Sequence, residues 1–264
     1  MCLIGFAWKA DPDFPLVVAA NRDEYHVREA AASTWWESAP DLLAGRDLQS
    51  GGTWMGITRS GRFAALTNFR DIRAPDPDAP SRGGLVTDYL VSSSPPVEHL
   101  ARLHSSSARF NGFNLLAGTM EQLGYTGNRG AAPQELSPGI YGLSNALLDT
   151  PWPKVVALKS ALATTLGKAR SEEALPSTIS TLAPRLFEAL ANTRPSADAG
   201  LPDTGLTHER ERMLSSAMIR SPSYGTRAST LLWVCRTGDV FWEERSFSPA
   251  GGILGVVQES FSLS

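Results

Sequence analysis

Cysteine is scarce in this chain: its 264 residues hold two, Cys2 and Cys235. Two thiols without Cys-x-x-Cys spacing exclude a disulfide framework or a zinc knuckle, and set a reducing cytoplasm as the expected location. Long apolar runs are absent too. No stretch approaches the about 18 residues needed to cross a bilayer, and no basic segment followed by an apolar one opens the chain, so neither membrane insertion nor a targeting segment is expected. Charge of one sign never accumulates. A formal net charge of −3 without a block of like charges leaves no footprint for nucleic acid. The four histidines, His26, His99, His104 and His208, form no i, i+4 pair and no His-Glu-x-x-His, which excludes a recognisable metal site or a Ser or Cys triad. The paired glycines at 51–52 and 83–84 lack the strand-to-helix context of a dinucleotide loop, and no phosphate-binding Gly-Lys-Ser/Thr run is present.

What is present begins at the second residue. Removal of the initiator methionine makes Cys2 the first residue, so that a thiol and a free α-amine share one residue. An α-amine with a reference pKa of about 7.7 to 8.0 can take the proton from an attacking thiol, which is the minimum equipment of an N-terminal nucleophile enzyme. The alternative is a small apolar side chain at the start of a buried strand.

Length and a hydrophobic content of 42% suit one large domain, expected to span 1–264. The first 70 residues read as strands, at 2–8 and 16–20, then 53–58 and 63–68, with turn chemistry between the members of each pair. The tetrad Asn21-Arg22-Asp23-Glu24 follows the second strand and is expected at its end. Three prolines between 70 and 82 predict a surface loop, either a lid or a plain connector. Apolar spacing predicts helices at 85–91, 97–110, 154–166 and 182–191, and a solvated helix opening at 208–212. Strands are expected at 115–119, 123–126, 140–144, 229–236, 240–247 and 253–257. Trp54, with Trp35, Trp36 and Trp152, either lines an apolar pocket or packs in the core. Cys235, in an apolar strand, is expected in the core.

Several ordered motifs carry a resemblance over nearly the whole chain. They are Met1-Cys2, the tetrad 21–24, Gly51-Gly52-Thr53-Trp54-Met55-Gly56, Leu66-Thr67-Asn68-Phe69-Arg70, Ser81-Arg82-Gly83, Tyr141-Gly142-Leu143-Ser144-Asn145-Ala146 and Pro151-Trp152-Pro153-Lys154. Together they resemble the NRDE family, also known through its eukaryotic transport and Golgi organisation 2 member. That family is similar to the N-terminal nucleophile hydrolases. The resemblance implies an α+β fold, an αββα four-layer sandwich of two antiparallel sheets between helices. Leu66-Thr67-Asn68-Phe69 and Leu143-Ser144-Asn145 are also similar to two active-site segments of choloylglycine hydrolases.

Carried over, the resemblance gives Asn145 an oxyanion-donating side-chain amide and the region of Asn68 a backbone N–H. The tetrad departs from the choloylglycine pattern. There an arginine and an aspartate stand three residues apart, whereas here Arg22 and Asp23 are adjacent and Asn21 and Glu24 hold that spacing. A cation beside Cys2 favours the thiolate, and a carboxylate holds the α-amine. Successive strand residues point to opposite faces, so Arg22 and Asp23 are not both expected to face Cys2. The implied activity is hydrolysis of a linear amide without a cofactor. The alternative is a non-catalytic carrier of a hydrophobic ligand, haem or an acyl-coenzyme A, or a trafficking protein.

Overall fold

The computed structural model describes residues 2–70, 76–130, 132–168 and 175–264. Met1, and the part of the proline-rich loop that includes Pro75, lie outside the described residues. In chain order the elements open with six strands: β1 (Cys2–Trp8), β2 (Leu16–Tyr25), β3 (Ala30–Trp36), β4 (Ala39–Asp47), β5 (Met55–Thr58) and β6 (Phe63–Asn68). Helices α1 (Gly83–Leu90) and α2 (Pro96–Ser105) precede β7 (Phe113–Gly118), β8 (Leu123–Gly127), β9 (Gln134–Glu135) and β10 (Gly139–Leu143). Then come α3 (Pro153–Lys168), α4 (Leu175–Leu190), α5 (His208–Leu214), β11 (Tyr224–Val234), β12 (Asp239–Phe247) and β13 (Ile253–Ser262).

These elements form two compact units, each a sheet with its own helices. The first unit takes Met1–His26, Pro138–Ser144 and Leu148–Phe261, and its six-stranded sheet runs β10-β1-β2-β11-β12-β13. On α3, Val155, Leu158, Leu162 and Leu166 recur at helical spacing, and with Leu182, Leu186 and Leu190 of α4 they pack against Leu3, Ala7, Val17, Ala19, Leu231 and Trp233 of the sheet. Helix α3 lies so close to β1 that a Cβ on Gly5 would come within 2.7 Å of Leu158 Cγ. Glycine at position 5 is what permits that approach.

The second unit takes Val27–Ser137, Asn145–Leu147 and Ser262–Ser264, and its seven-stranded sheet keeps chain order, β3 to β9. Leu85, Val86, Tyr89 and Leu90 of α1, with Leu100 and Leu103 of α2, bury Ala44, Ala64, Leu66, Phe113, Leu115 and Ala117. Helices thus cover one face of each sheet.

Four features differ from the sequence expectation. Strand β2 does not end before the tetrad but runs through it to Tyr25. Strands β3 and β4 fall between the predicted strands 16–20 and 53–58 without a readable period-two signal, because register shifts between Ala31 and Thr34 and between Trp35 and Trp36 break it. Helix α4 starts ahead of the expected 182 and continues through Pro184, since the Leu182, Leu186 and Leu190 face repays the lost hydrogen bond. Helix α5 forms where expected and His208, Glu209, Arg210 and Arg212 are exposed, but one of its charges is not solvated. Glu211 is buried and accepts from the hydroxyl of Thr204 and, at 3.1 Å, from its N–H.

Candidate active site

In the first unit the site grows from the pairing of β1 with β2. Their antiparallel register sets Cys2 opposite Arg22 and Leu3 opposite Asn21. Leu3, Ala7, Val17 and Ala19 belong to the helix-packed cluster, so by strand alternation Asn21 and Asp23 sit on the helix-facing side. Cys2, Arg22 and Glu24 occupy the opposite face. The structure therefore brings Cys2 and Arg22 together on one face and puts Asp23 behind them.

Cys2 is partly buried and Arg22 is buried. Burial pushes the Cys2 thiol above its ordinary value and the Asp23 carboxylate adds to this, while the Arg22 guanidinium and the Asp23 peptide N–H, which hydrogen-bonds the sulfur, act the other way. Burial wins. The thiol therefore keeps its proton at neutral pH and needs a base at the moment of attack. The Ser144 hydroxyl donates to the Cys2 carbonyl at 3.0 Å and ties β1 to the end of β10.

The two flanking members of the tetrad do other work. The Asn21 amide nitrogen donates to the carbonyls of Leu190 at 2.9 Å and Ala217 at 2.8 Å, and its oxygen accepts from Ser229 at 2.5 Å. This spends the amide on bracing the end of α4 against the sheet. Glu24 accepts from the Tyr25 N–H at 2.8 Å.

Asp23 is almost wholly enclosed, with 1% of its surface exposed. It accepts from Thr226 Oγ1 at 2.6 Å, and its peptide oxygen accepts from the Tyr224 hydroxyl at 3.0 Å. Burial raises its carboxyl above the ordinary carboxylate range, and the strongest influence opposing that rise is the Lys154 ammonium. Tyr224, raised well above its ordinary value first by burial and then by Asp23, stays a neutral donor.

In the second unit, Asn145 is buried and clasps the end of β6. Its side-chain amide donates to the Asn68 carbonyl at 2.7 Å, and its own carbonyl accepts from the Arg70 N–H at 2.6 Å. The Phe69 N–H is given to the Gly112 carbonyl at 2.9 Å. The backbone donors that follow Asn68 are therefore engaged within the unit. Behind the clasp stands Asn114, fully buried, which donates to the Ala146 carbonyl at 2.9 Å and to Thr67 Oγ1 at 3.1 Å, and accepts from the Tyr125 hydroxyl at 2.7 Å. Trp54 lies elsewhere in this unit, its ring over Gly45.

Sequence reasoning assigned no part to Lys154, Thr226, Tyr224 or Asn114. Two of them carried a signal. Asn114 is the polar residue of the otherwise apolar strand β7, Phe113–Gly118. Lys154 is a cation in the first turn of α3, at the wrong end of the helix dipole.

Among the described residues no cluster of three or more His, Cys, Asp or Glu could hold a metal ion, and no helix is long and apolar enough to cross a membrane. Comparison with known proteins agrees with the fold. The structure is similar to that of the C2A mutant of conjugated bile acid hydrolase from Clostridium perfringens, with a TM-score of 0.52 and 7% identity, covering 100% of this chain and 97% of that one. This likeness establishes the N-terminal nucleophile hydrolase fold expected from the sequence. Two relatives are closer in sequence. The Transport and Golgi organization 2 homolog of Mus musculus is 34% identical over 266 residues, and the Homo sapiens homolog is 35% identical over the same length, each comparison covering 93% of both chains. The model of the Transport and Golgi organisation 2 family matches residues 1–249, and the chain belongs to that family.

Proposed function

We propose that this protein is an N-terminal cysteine hydrolase that cleaves a linear amide by acyl transfer. The observation that carries the reading is the first residue of β1: a thiol registered opposite a buried arginine, with its proton held by burial. A thiol in that state gains from a base on its own residue, and loss of Met1 would create one.

Cys2 Sγ attacks the amide carbon while its proton passes to the Cys2 α-amine. The tetrahedral oxyanion is met by the Asn145 side-chain amide. The α-ammonium then protonates the leaving nitrogen, the C–N bond breaks and a thioester remains. Water adds to the thioester, gives a proton to the α-amine, and the C–S bond breaks to release the acid and restore the thiol. One feature supports Asn145 in this role: its bond to the Asn68 carbonyl fixes its amide plane.

The test uses p-nitrophenyl acetate as an activated acyl donor. The reading predicts a p-nitrophenol burst with an acetyl adduct mapped to Cys2, and no burst from Cys2→Ala. A Cys2→Ala variant that turns over at the wild-type rate would overturn it. The relatives' names speak of transport, which keeps carriage of haem or an acyl-coenzyme A as the competing reading. Its signature is saturable binding retained by Cys2→Ala with no burst from the wild-type chain.

A further inference from the structure

Asn114 has no exposed surface, and it lies in β7 between Phe113 and Leu115, which pack against the helices of the second unit. Strand alternation therefore puts its amide on the face away from those helices. A buried amide is tolerated where its hydrogen bonds are made. Here Nδ2 donates to the Ala146 carbonyl at 2.9 Å and to Thr67 Oγ1 at 3.1 Å, and Oδ1 accepts from the Tyr125 hydroxyl at 2.7 Å. The Ala146 carbonyl can only accept, so the amide nitrogen must face it and the oxygen must face Tyr125. Gly127 closes round the group, since a Cβ there would come within 3.2 Å of Asn114 Oδ1.

The bonds of Asn114 join two particular neighbours. Thr67 adjoins Asn68, Ala146 adjoins Asn145, and Asn145 itself donates to the Asn68 carbonyl at 2.7 Å. The Asn145–Leu147 segment of the second unit lies outside every helix and strand, so side-chain and loop bonds must fix it. Asn68 and the Arg70 N–H hold Asn145, and Asn114 holds the next residue while its second bond grips β6, the strand that carries Asn68. Thr67, Asn68, Asn145, Ala146 and Asn114 thus form a closed circuit. Turning the Asn145 amide away breaks a bond inside it.

We propose that Asn114 is a positioning residue, the buried brace that keeps the Asn145 amide aimed at the tetrahedral oxyanion. The role rests on the acyl-transfer reading. Asn114 touches no reacting atom. It acts on Asn145 through Ala146 and Thr67.

The consequence is selective between two reactions of one thiol. Acylation of Cys2 by p-nitrophenyl acetate passes through an oxyanion, whereas alkylation by iodoacetamide displaces iodide from a saturated carbon and forms none. Misplacing a catalytic group by about 1 Å can cost about 10²-fold in rate. In Asn114→Leu, which keeps the approximate shape and removes the amide, the acylation burst therefore slows about 10- to 10²-fold while Cys2 alkylation stays within about twofold of wild type. Added to Asn145→Ala, the same change costs less than about threefold more, because the amide it aims is already gone.

Folded Asn114→Leu protein with a wild-type acylation rate would overturn the role. So would acylation and alkylation falling together, which marks a general loss of structure around Cys2. Should Asn114→Leu fail to fold, Tyr125→Phe decides, because it keeps the ring and removes only the donor to Oδ1. Slowed acylation with unchanged alkylation is expected of it, and unchanged acylation contradicts the brace. A wild-type chain without a burst overturns the hydrolase reading and this role together. A wild-type burst that these variants leave unmoved overturns the role of Asn114 alone.

Discussion

A guanidinium beside a thiol ordinarily lowers its pKa, yet the Cys2 thiol stands above its usual value because burial outweighs Arg22. The sequence places the two residues near one another, but how far a strand end is enclosed depends on its neighbours. Asn145 poses a similar problem of reading. Sequence alone leaves it as a turn residue. Family resemblance implies an oxyanion donor, and the structure adds the bond to the Asn68 carbonyl that orients its amide. If that amide meets the oxyanion, Asn145→Ala slows acylation about 10² to 10³-fold, as loss of one such donor does elsewhere. Burst kinetics with p-nitrophenyl acetate check this, and a burst within threefold of wild type contradicts it. Asn114 was not legible as part of the clasp. Its partner Ala146 is far away in the sequence, and nothing local marks the pair. Lys154 was visible only as a motif member, because the Leu214 carbonyl it meets lies on another element.

At the scale of the element, apolar runs flanked by turn residues located most strands, and helical spacing located the helices. Polar residues misled where they were buried with partners. Asn21 to Glu24 read as the end of a strand, but Asn21 and Asp23 find partners on α4, on β11 and after α5, so β2 continues to Tyr25. The seat of α3 on β1 gives a direct prediction. Gly5→Val forces side-chain atoms into Leu158 and Leu162, both within 2.9 Å of where its Cβ would stand. Such overpacking costs about 1 to 3 kcal/mol. Urea denaturation should show a correspondingly lower midpoint, and an unchanged midpoint would mean that α3 does not pack on β1 at this glycine.

At the scale of the whole molecule, the chain passes between its two units more than once, so neither is a contiguous stretch of sequence. Cys235 and Tyr89 are among the buried acids that shape its behaviour in alkali. Burial pushes Cys235 up to about 11 from 9.0 and Tyr89 up to about 12 from 10.0. Both groups hold their protons more tightly folded than unfolded. Their contribution to stability is complete below pH 9 and is lost as pH rises through 11 to 12. Denaturation midpoints should hold between pH 7 and 8 and fall above about 9, and the double variant Cys235→Ala/Tyr89→Phe should flatten that fall. A slope equal to wild type in the double variant would contradict the assignment.

The central claim is that Cys2 is an activated N-terminal nucleophile, and Cys235, buried in β11's apolar continuation, is its internal control. Intact mass followed by peptide mapping, after brief exposure to limiting iodoacetamide at neutral pH, reads both thiols at once. The account predicts a chain that has lost Met1 and is alkylated at Cys2 well before Cys235. A chain that keeps Met1, or one in which Cys2 is as unreactive as Cys235, would contradict it.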